Sequence, residues 1–373
     1  MSMGWMVGAL LLGAFLITVL VVGWLMLRRP LELWDWGTRR ALARTGLEKR
    51  VIPSPAGPQT VFVGGSGPAL VFLHGAGHQA GTWLQSVRAL RDRYTLVIPD
   101  LAGHGESAPV TGPIQASDIV NGLEAVIASL AQGRPATLIG NSLGGWMAMV
   151  LATRHPEWVE RIIAVNGGPL AGTDDSVRML PATREEARAT MARLRDASSS
   201  AIPDHVLDDL VRRSRSGPFT RFVATSPATG EWVLTEAQLG TIRIPVRLIW
   251  GLSDGFMPLA YAERMRAALP DVELITLERC GHVPQQEAPE RFLAALRQAL
   301  DEASPVEANH GRLAPTFHPT AEGPPFGGPS AARRLPPTRR SSSSSRGYRP
   351  RGRAGGPAGL RGAWRPRGRS GRR

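Results

Sequence analysis

The 373-residue chain has a single cysteine, Cys280. No intramolecular disulfide can form, and cysteine usage does not mark a redox compartment. Cys/His groups with metal-ligand spacing are missing, as is the glycine-rich loop that cradles a nucleoside triphosphate. Neither a metal nor an organic cofactor is expected. The glycine-rich run from Val63 to Pro68 precedes an apolar strand, whereas a dinucleotide loop follows one, so a turn is expected there. Lysine is nearly missing too: Lys49 stands against 43 arginines.

Charge is absent altogether from residues 4–27. As a helix, that stretch would run about 36 Å at ~1.5 Å per residue, long enough for a hydrocarbon core of about 30 Å. Trp5 and Trp24 sit near its ends, where interfacial aromatics gather. A cleaved secretory signal needs a basic start, a shorter apolar core and a small-residue cleavage site, and none is clear. An uncleaved anchor over residues 1–30 is therefore expected, followed by a juxtamembrane stalk over 31–57. Within the stalk, Trp34 and Trp36 could lie at the interface or pack on the domain. Arg28, Arg29, Arg39, Arg40, Arg44, Lys49 and Arg50 all follow the span. The positive-inside rule then places the rest of the chain on the cytoplasmic face.

The far end is a different material. Residues 304–373 hold 15 arginines and two acids, Glu307 and Glu322, which accounts for the whole net charge of +13. A tail over 303–373, rich in Arg, Pro, Gly and Ser, cannot bury a core and is expected to be disordered. Two readings of it stand open. It is an arm for anionic lipid or nucleic acid, or an extension whose composition follows GC-rich codons.

The most informative residues are Gly140-Asn141-Ser142-Leu143-Gly144. The apolar run 136–139 before them reads as a buried strand, and Gly145 to Arg154 after them as a helix. That is the G-x-S-x-G elbow, a sharp turn that exposes a serine Oγ and needs glycine where the chain doubles back. Other elements follow the same logic. Ala69 to Leu73 reads as a strand ending in His74-Gly75-Ala76-Gly77, whose loop would supply one oxyanion donor, the Ala76 N–H. Leu143, after the nucleophile, would supply the second. His74 reads as a loop-shaping hydrogen bonder rather than a base. Strand 245–250 leads to Asp254, placed to orient a histidine. Strand 272–277 leads to His282. Of the eight histidines, only His282, His310 and His318 follow Asp254, and the last two fall in the tail. The loop from Asp100 to Ser107, with His104, reads as a scaffold turn near the pocket.

In these motifs the chain resembles the α/β-hydrolase family over about residues 58–302. The resemblance implies an α/β fold: a mostly parallel central sheet with helices on both faces, formed by 58–168 and 244–302. The insertion 169–243 is then a helical cap, with amphipathic helices expected at 185–195 and 204–215. It also implies a serine hydrolase with the triad Ser142, Asp254 and His282, the oxyanion donors Ala76 and Leu143, and a small ester or acyl substrate. Ser142 argues against the family's aspartate-dependent dehalogenases and epoxide hydrolases. The phrase from Asn141 to Gly145 is similar to that of its carbon–carbon hydrolases. A non-catalytic scaffold is the third reading; a complete triad argues against it.

Overall fold

The computed structural model describes residues 3–130, 134–174, 176–225 and 232–301, and the Arg-rich tail lies outside them. Eight strands form one sheet: β1 (Glu48–Ile52), β2 (Gln59–Gly65), β3 (Ala69–Leu73), β4 (Thr95–Pro99), β5 (Ala136–Asn141), β6 (Val159–Val165), β7 (Val246–Gly251) and β8 (Val272–Leu277). Their order is β1-β2-β4-β3-β5-β6-β7-β8. The first two pairings, β1 with β2 and β2 with β4, are antiparallel, and the rest are parallel. The parallel strands β3 to β7 are short apolar runs, as expected for strands covered on both faces. The Val63–Pro68 segment does turn, but it carries the chain over β4 rather than into a hairpin.

Twelve helices accompany the sheet in the described residues. They are α1 (Met3–Arg28), α2 (Pro30–Ala43), α3 (Leu84–Leu90), α4 (Ala116–Leu130), α5 (Leu143–Arg154), α6 (Arg184–Leu194), α7 (Asp204–Arg213), α8 (Pro218–Val223), α9 (Glu236–Leu239), α10 (Leu259–Ala268), α11 (Pro284–Glu287) and α12 (Pro289–Asp301). Side chains of α4, α5 and α10 join one core cluster, against residues such as Val71, Leu138 and Leu248. Those of α3 and α12 join a second, against Phe72, Ile139 and Ile249. The alternation of neighbouring β-residues between clusters is the period-two signature of a sheet sandwiched by helices. Helices α6 to α9 form the expected insertion between β6 and β7.

The segment expected as a stalk is instead part of the fold. Residues 48–52 are the edge strand of the sheet, so the core begins ten residues earlier than expected. Residues 30–43 are helix α2, with Leu42 fully buried under the sheet. Two fully buried carboxylates are among the polar groups that fix α2. Arg39 Nη1 donates to Asp100 Oδ2 at 2.6 Å, with 12% and 0% of the two side chains exposed. Asp100 also accepts the Ala80 and Glu106 N–H groups. Removing one partner of such a buried pair costs about 3–5 kcal/mol, because the other charge is left uncompensated. The second anchor is Asp209 of α7, whose fully buried carboxylate accepts the Leu31 N–H at 2.9 Å. An anion at a helix N-terminus satisfies an orphan donor and complements the dipole. Here it comes from a residue 178 positions away, since Arg29 at the N-cap makes no side-chain cap.

Helix α1 is apolar all round: over Met6–Arg28 its mean hydropathy is 2.7 and none of it is buried. It is one candidate spanning helix by length and composition. Trp34 and Trp36, left open between interface and packing, are 61% and 60% exposed.

Candidate active site

The strand order reverses around β3 and β5: the chain proceeds to β4 on one side and to β6 on the other. Open α/β sheets bind ligands at the carboxyl ends of strands at such a switch point. All five residues expected from sequence lie at those ends, four on loops and Leu143 at the first position of α5. Ala76 follows β3, Ser142 and Leu143 follow β5, Asp254 follows β7 and His282 follows β8.

Ser142 has φ +52° and ψ −117°, a region that side chains rarely adopt. The turn is held from several sides. The Ser142 N–H donates to the Val165 carbonyl at 3.0 Å. A Cβ on Gly140 would come within 2.2 Å of the Gly144 backbone, and one on Gly144 within 2.1 Å of the Leu73 carbonyl. Strain of this kind, on the order of 1–3 kcal/mol, persists only where the surroundings over-determine it. Helix α5 starts immediately after, with its N-terminus at the serine and nine of its residues buried.

Ser142 Oγ lies 3.0 Å from His282 Nε2, and His282 Nδ1 lies 2.7 Å from Asp254 Oδ2. His282 is 5% exposed and Asp254 3%. The arrangement assigns the tautomer: Nδ1 donates to the carboxylate, and Nε2 is left to accept from Oγ. Asp254 is saturated. Its Oδ1 accepts the Phe256 and Met257 N–H groups, and its Oδ2 also accepts the Asn166 amide at 2.8 Å. Phe256 packs edge-on against the His282 ring. Among the described residues, neither the Ala76 nor the Leu143 N–H is spent on another acceptor. A Cβ on Gly75 would sit 3.3 Å from the Ser142 Cβ, which shows how closely the β3 loop approaches.

Two residues not anticipated complete the support. Asn166 sits at φ +41° past the end of β6, takes the Gly251 N–H on Oδ1 and gives its amide to Asp254. Asn141 inside the elbow donates to the carbonyls of Val165 and His282, and accepts from Gln285. The local signal for Asn166 was present, an Asn-Gly-Gly at a strand end, since asparagine tolerates a left-handed turn. Its partner, 88 positions away, could not be read locally.

His74 behaves as expected for a loop-shaper. Its Nδ1 donates to the Gly75 carbonyl and its Nε2 accepts the Leu101 N–H. Burial holds its pKa well below the usual histidine value, as burial also lowers His104, to about 4. The Asp100–Ser107 loop is likewise a scaffold: Ser107 ties to Asp100 and to Thr60, and Gly105 leaves no room for a Cβ beside the Asp100 carboxylate.

The α6–α9 insertion is stitched to the loops that carry Asp254 and His282. The His282 N–H donates to the Leu194 carbonyl and the Gly255 N–H to the Arg193 carbonyl, both in α6. Between this insertion and those loops lies a cavity of about 970 Å³, with Ser142 and His282 in its lining and Leu180, Met191, Leu207, Leu210 and Phe219 among its apolar walls. That volume is at the upper end for small-molecule sites, which run from about 300 to 1,000 Å³. Among the described residues, no group of His, Cys, Asp and Glu is arranged to hold a metal.

The model of the alpha/beta hydrolase family matches residues 70–295. The chain is 31% identical over 248 residues to a pimeloyl-[acyl-carrier protein] methyl ester esterase of Nitrosomonas europaea, an alignment covering 62% of this chain and 94% of that protein. It is 28% identical over 247 residues to a 2-hydroxy-6-oxononadienedioate/2-hydroxy-6-oxononatrienedioate hydrolase of Pseudomonas sp, covering 61% and 86%. Among solved structures, that of a membrane phospholipase A superposes with a TM-score of 0.61 at 24% identity, over 79% of this chain and 98% of that one. At that identity the likeness is one of fold.

Proposed function

The chain belongs to the alpha/beta hydrolase family, and from that premise we propose that it is a membrane-anchored serine hydrolase of carboxylic esters with a lipophilic acyl group. The observation that carries the reading is the continuous relay from Ser142 Oγ through His282 to Asp254, opening into an apolar cavity. In this mechanism Ser142 Oγ attacks the ester carbonyl and gives its proton to His282 Nε2. The tetrahedral oxyanion rests on the Ala76 and Leu143 N–H groups, aided by the α5 dipole. The C–O bond to the leaving group breaks as His282 returns the proton to it. A water molecule then attacks the acyl-enzyme, its proton passing to His282 and on to Oγ as the acid departs. Asp254 fixes the imidazole and stabilises its cationic form. No step calls for a cofactor.

The similarity to an ester esterase supports the reaction, and the apolar walls support a lipophilic acyl group. Helix α1, whose apolar window has no buried residue, supports the anchor. The cluster of basic residues after it supports a cytoplasmic catalytic domain. A single observation favours a second reading, hydrolysis of a carbon–carbon bond next to a ketone by the same triad. The dienedioate hydrolase is a relative, and its substrate's name implies two carboxylates. In this cavity Arg39, Arg212 and Arg213 are already paired with carboxylates. Arg195, bonded to the Ser200 carbonyl, is the lining cation that could meet another.

The test is hydrolysis of p-nitrophenyl esters of increasing acyl length by the full chain in detergent, with Ser142→Ala alongside. Turnover is expected to rise with acyl length and to fall by about 10⁴-fold or more in the variant. Good turnover of short soluble esters with none of long-chain acylglycerols would refute the lipophilic substrate. Efficient cleavage of a diketone but no ester would select the second reading. For the anchor, the chain should stay with the membrane pellet after alkaline carbonate washing; release into the supernatant would sink it.

A further inference from the structure

We propose that α2, the helix that follows the apolar segment, is part of the acyl-binding site: it forms the outer wall of the cavity, is held there by Asp209 of the cap, and selects the acyl chain through Leu31 and Trp34. The inference rests on Ser142 being the nucleophile of the proposed hydrolase.

The cavity over Ser142 is closed by three bodies. The core contributes the elbow and the β3 loop, and the cap contributes the apolar faces of α6 and α7. The third wall is α2, with Leu31, Trp34 and Trp36 in the lining. Leu31 is half-buried, whereas Trp34 and Trp36 are mostly exposed. The cavity therefore reaches the surface along α2. That helix begins two residues after α1 ends, so whatever holds α1 also sets where this wall stands.

The contact between α2 and α7 is unusually polar for a cavity wall, and its polar groups are matched. Asp209 accepts the Leu31 N–H on Oδ2 and Arg212 Nε on Oδ1, at 2.9 and 2.6 Å. Arg212 continues to Glu32 at 2.6 Å, and Arg213 pairs with Asp35 at 2.8 Å. Asp209 is the one fully buried carboxylate of this clasp. It sits two residues beyond Leu207 and one before Leu210, both of which line the cavity. The same short stretch of α7 thus offers apolar side chains to the cavity and a carboxylate to the end of α2. Asp209 is a positioning residue: through the Leu31 N–H it fixes where Leu31 stands in the cavity wall, and it touches no reacting atom. An acyl chain leaving Ser142 between cap and core would meet α2 last, so α2 would discriminate long chains from short ones and leave the chemistry at Oγ alone.

The experiment measures covalent labelling of Ser142 by a short-chain (ethyl) and a long-chain (hexadecyl) alkyl fluorophosphonate, in the full chain in detergent. The readout is the long-to-short ratio of labelling rates, with ester turnover followed in parallel. Leu31→Trp narrows the outer channel and should lower that ratio by about tenfold or more, the scale on which a pocket senses a methylene or two. Asp209→Asn frees the α2 terminus and should move the ratio in the same direction; Leu31→Trp keeps the test decisive if Asp209→Asn does not fold. Ratios equal to wild type, with Ser142 still labelled, would overturn the inference while leaving the proposed chemistry standing. Labelling without ester turnover would retire the ester reading while the ratio still decides the channel. Failure of both probes on the wild-type chain would remove nucleophile and channel together.

Discussion

Asp254→Asn is expected to lower kcat/KM by about 10⁴ while leaving the fold and the serine in place. The reason lies in the four bonds the carboxylate accepts. Oδ1 takes two backbone N–H groups, from Phe256 and Met257, and Oδ2 takes His282 Nδ1–H and the Asn166 amide. Every partner is a donor, so the site is built for an acceptor-only group. An asparagine must keep its oxygen on the two backbone donors, which turns its own NH₂ toward His282 and Asn166. The imidazole can then meet it only as an acceptor at Nδ1. That forces the proton onto Nε2, where it faces Ser142 Oγ 3.0 Å away and abolishes base character. Asn166 is left with its amide opposed to another donor. Steady-state rates together with fluorophosphonate labelling check this: both should collapse. Retained labelling with lost turnover would instead mean that Asp254 acts after acylation.

The proposed catalytic constellation was legible because its parts are local. A glycine that must lack a Cβ, an apolar run and a polar residue just past it are features of a few consecutive residues. Ser142, Ala76, Leu143, Asp254 and His282 each follow such a run, and the structure brings them together at the carboxyl ends of the strands. The segment 31–57 was misread for the opposite reason. Strand β1, Glu-Lys-Arg-Val-Ile, carries three charges in five residues, which is how an exposed edge strand is protected from further pairing and how a linker also looks. Helix α2 presents one fully buried apolar side chain, Leu42, and is otherwise held by polar ties, the most buried of them Arg39 to Asp100 and Asp209 of α7 to the Leu31 N–H. Neither anchor has a sequence-local trace. The supporting roles of Asn166 and of Asn141, which was named only as part of the elbow, were missed in the same way: they lie in partners 24 to 141 positions distant. Strand ends and tight turns are thus readable from sequence, whereas polar bonds that lock one loop to another need the fold.

The protein is expected to be acid-labile at pH values well above those at which its surface carboxylates titrate. Two histidines with no place in the relay, His74 and His104, are fully buried beneath the site, with their rings 5.3 Å apart. Burial lowers both pKa values, that of His104 from 6.5 to about 4, with the Arg221 charge adding to the shift. Because the folded value is below the unfolded one, the native state binds fewer protons. The associated stability is fully present above pH 6.5 and is lost as the pH falls toward 4. For His104 alone, the loss between pH 7 and pH 5 is about 2 kcal/mol, and His74 adds in the same direction. The geometry shows what protonation breaks. His104 Nδ1 already donates to the Ala102 carbonyl, so a second proton would sit on Nε2, a buried atom with no partner among the described residues. In His74 the second proton would displace the Leu101 N–H that Nε2 accepts, loosening the strand-end loop that carries Ala76. Denaturant unfolding of the full chain in detergent should therefore show the midpoint dropping steeply from pH 7 to pH 5. His104→Gln should flatten that slope, although it costs stability at neutral pH. A midpoint unchanged down to pH 5 would mean that these rings accept protons in place, with water or a local rearrangement supplying the partner the structure lacks.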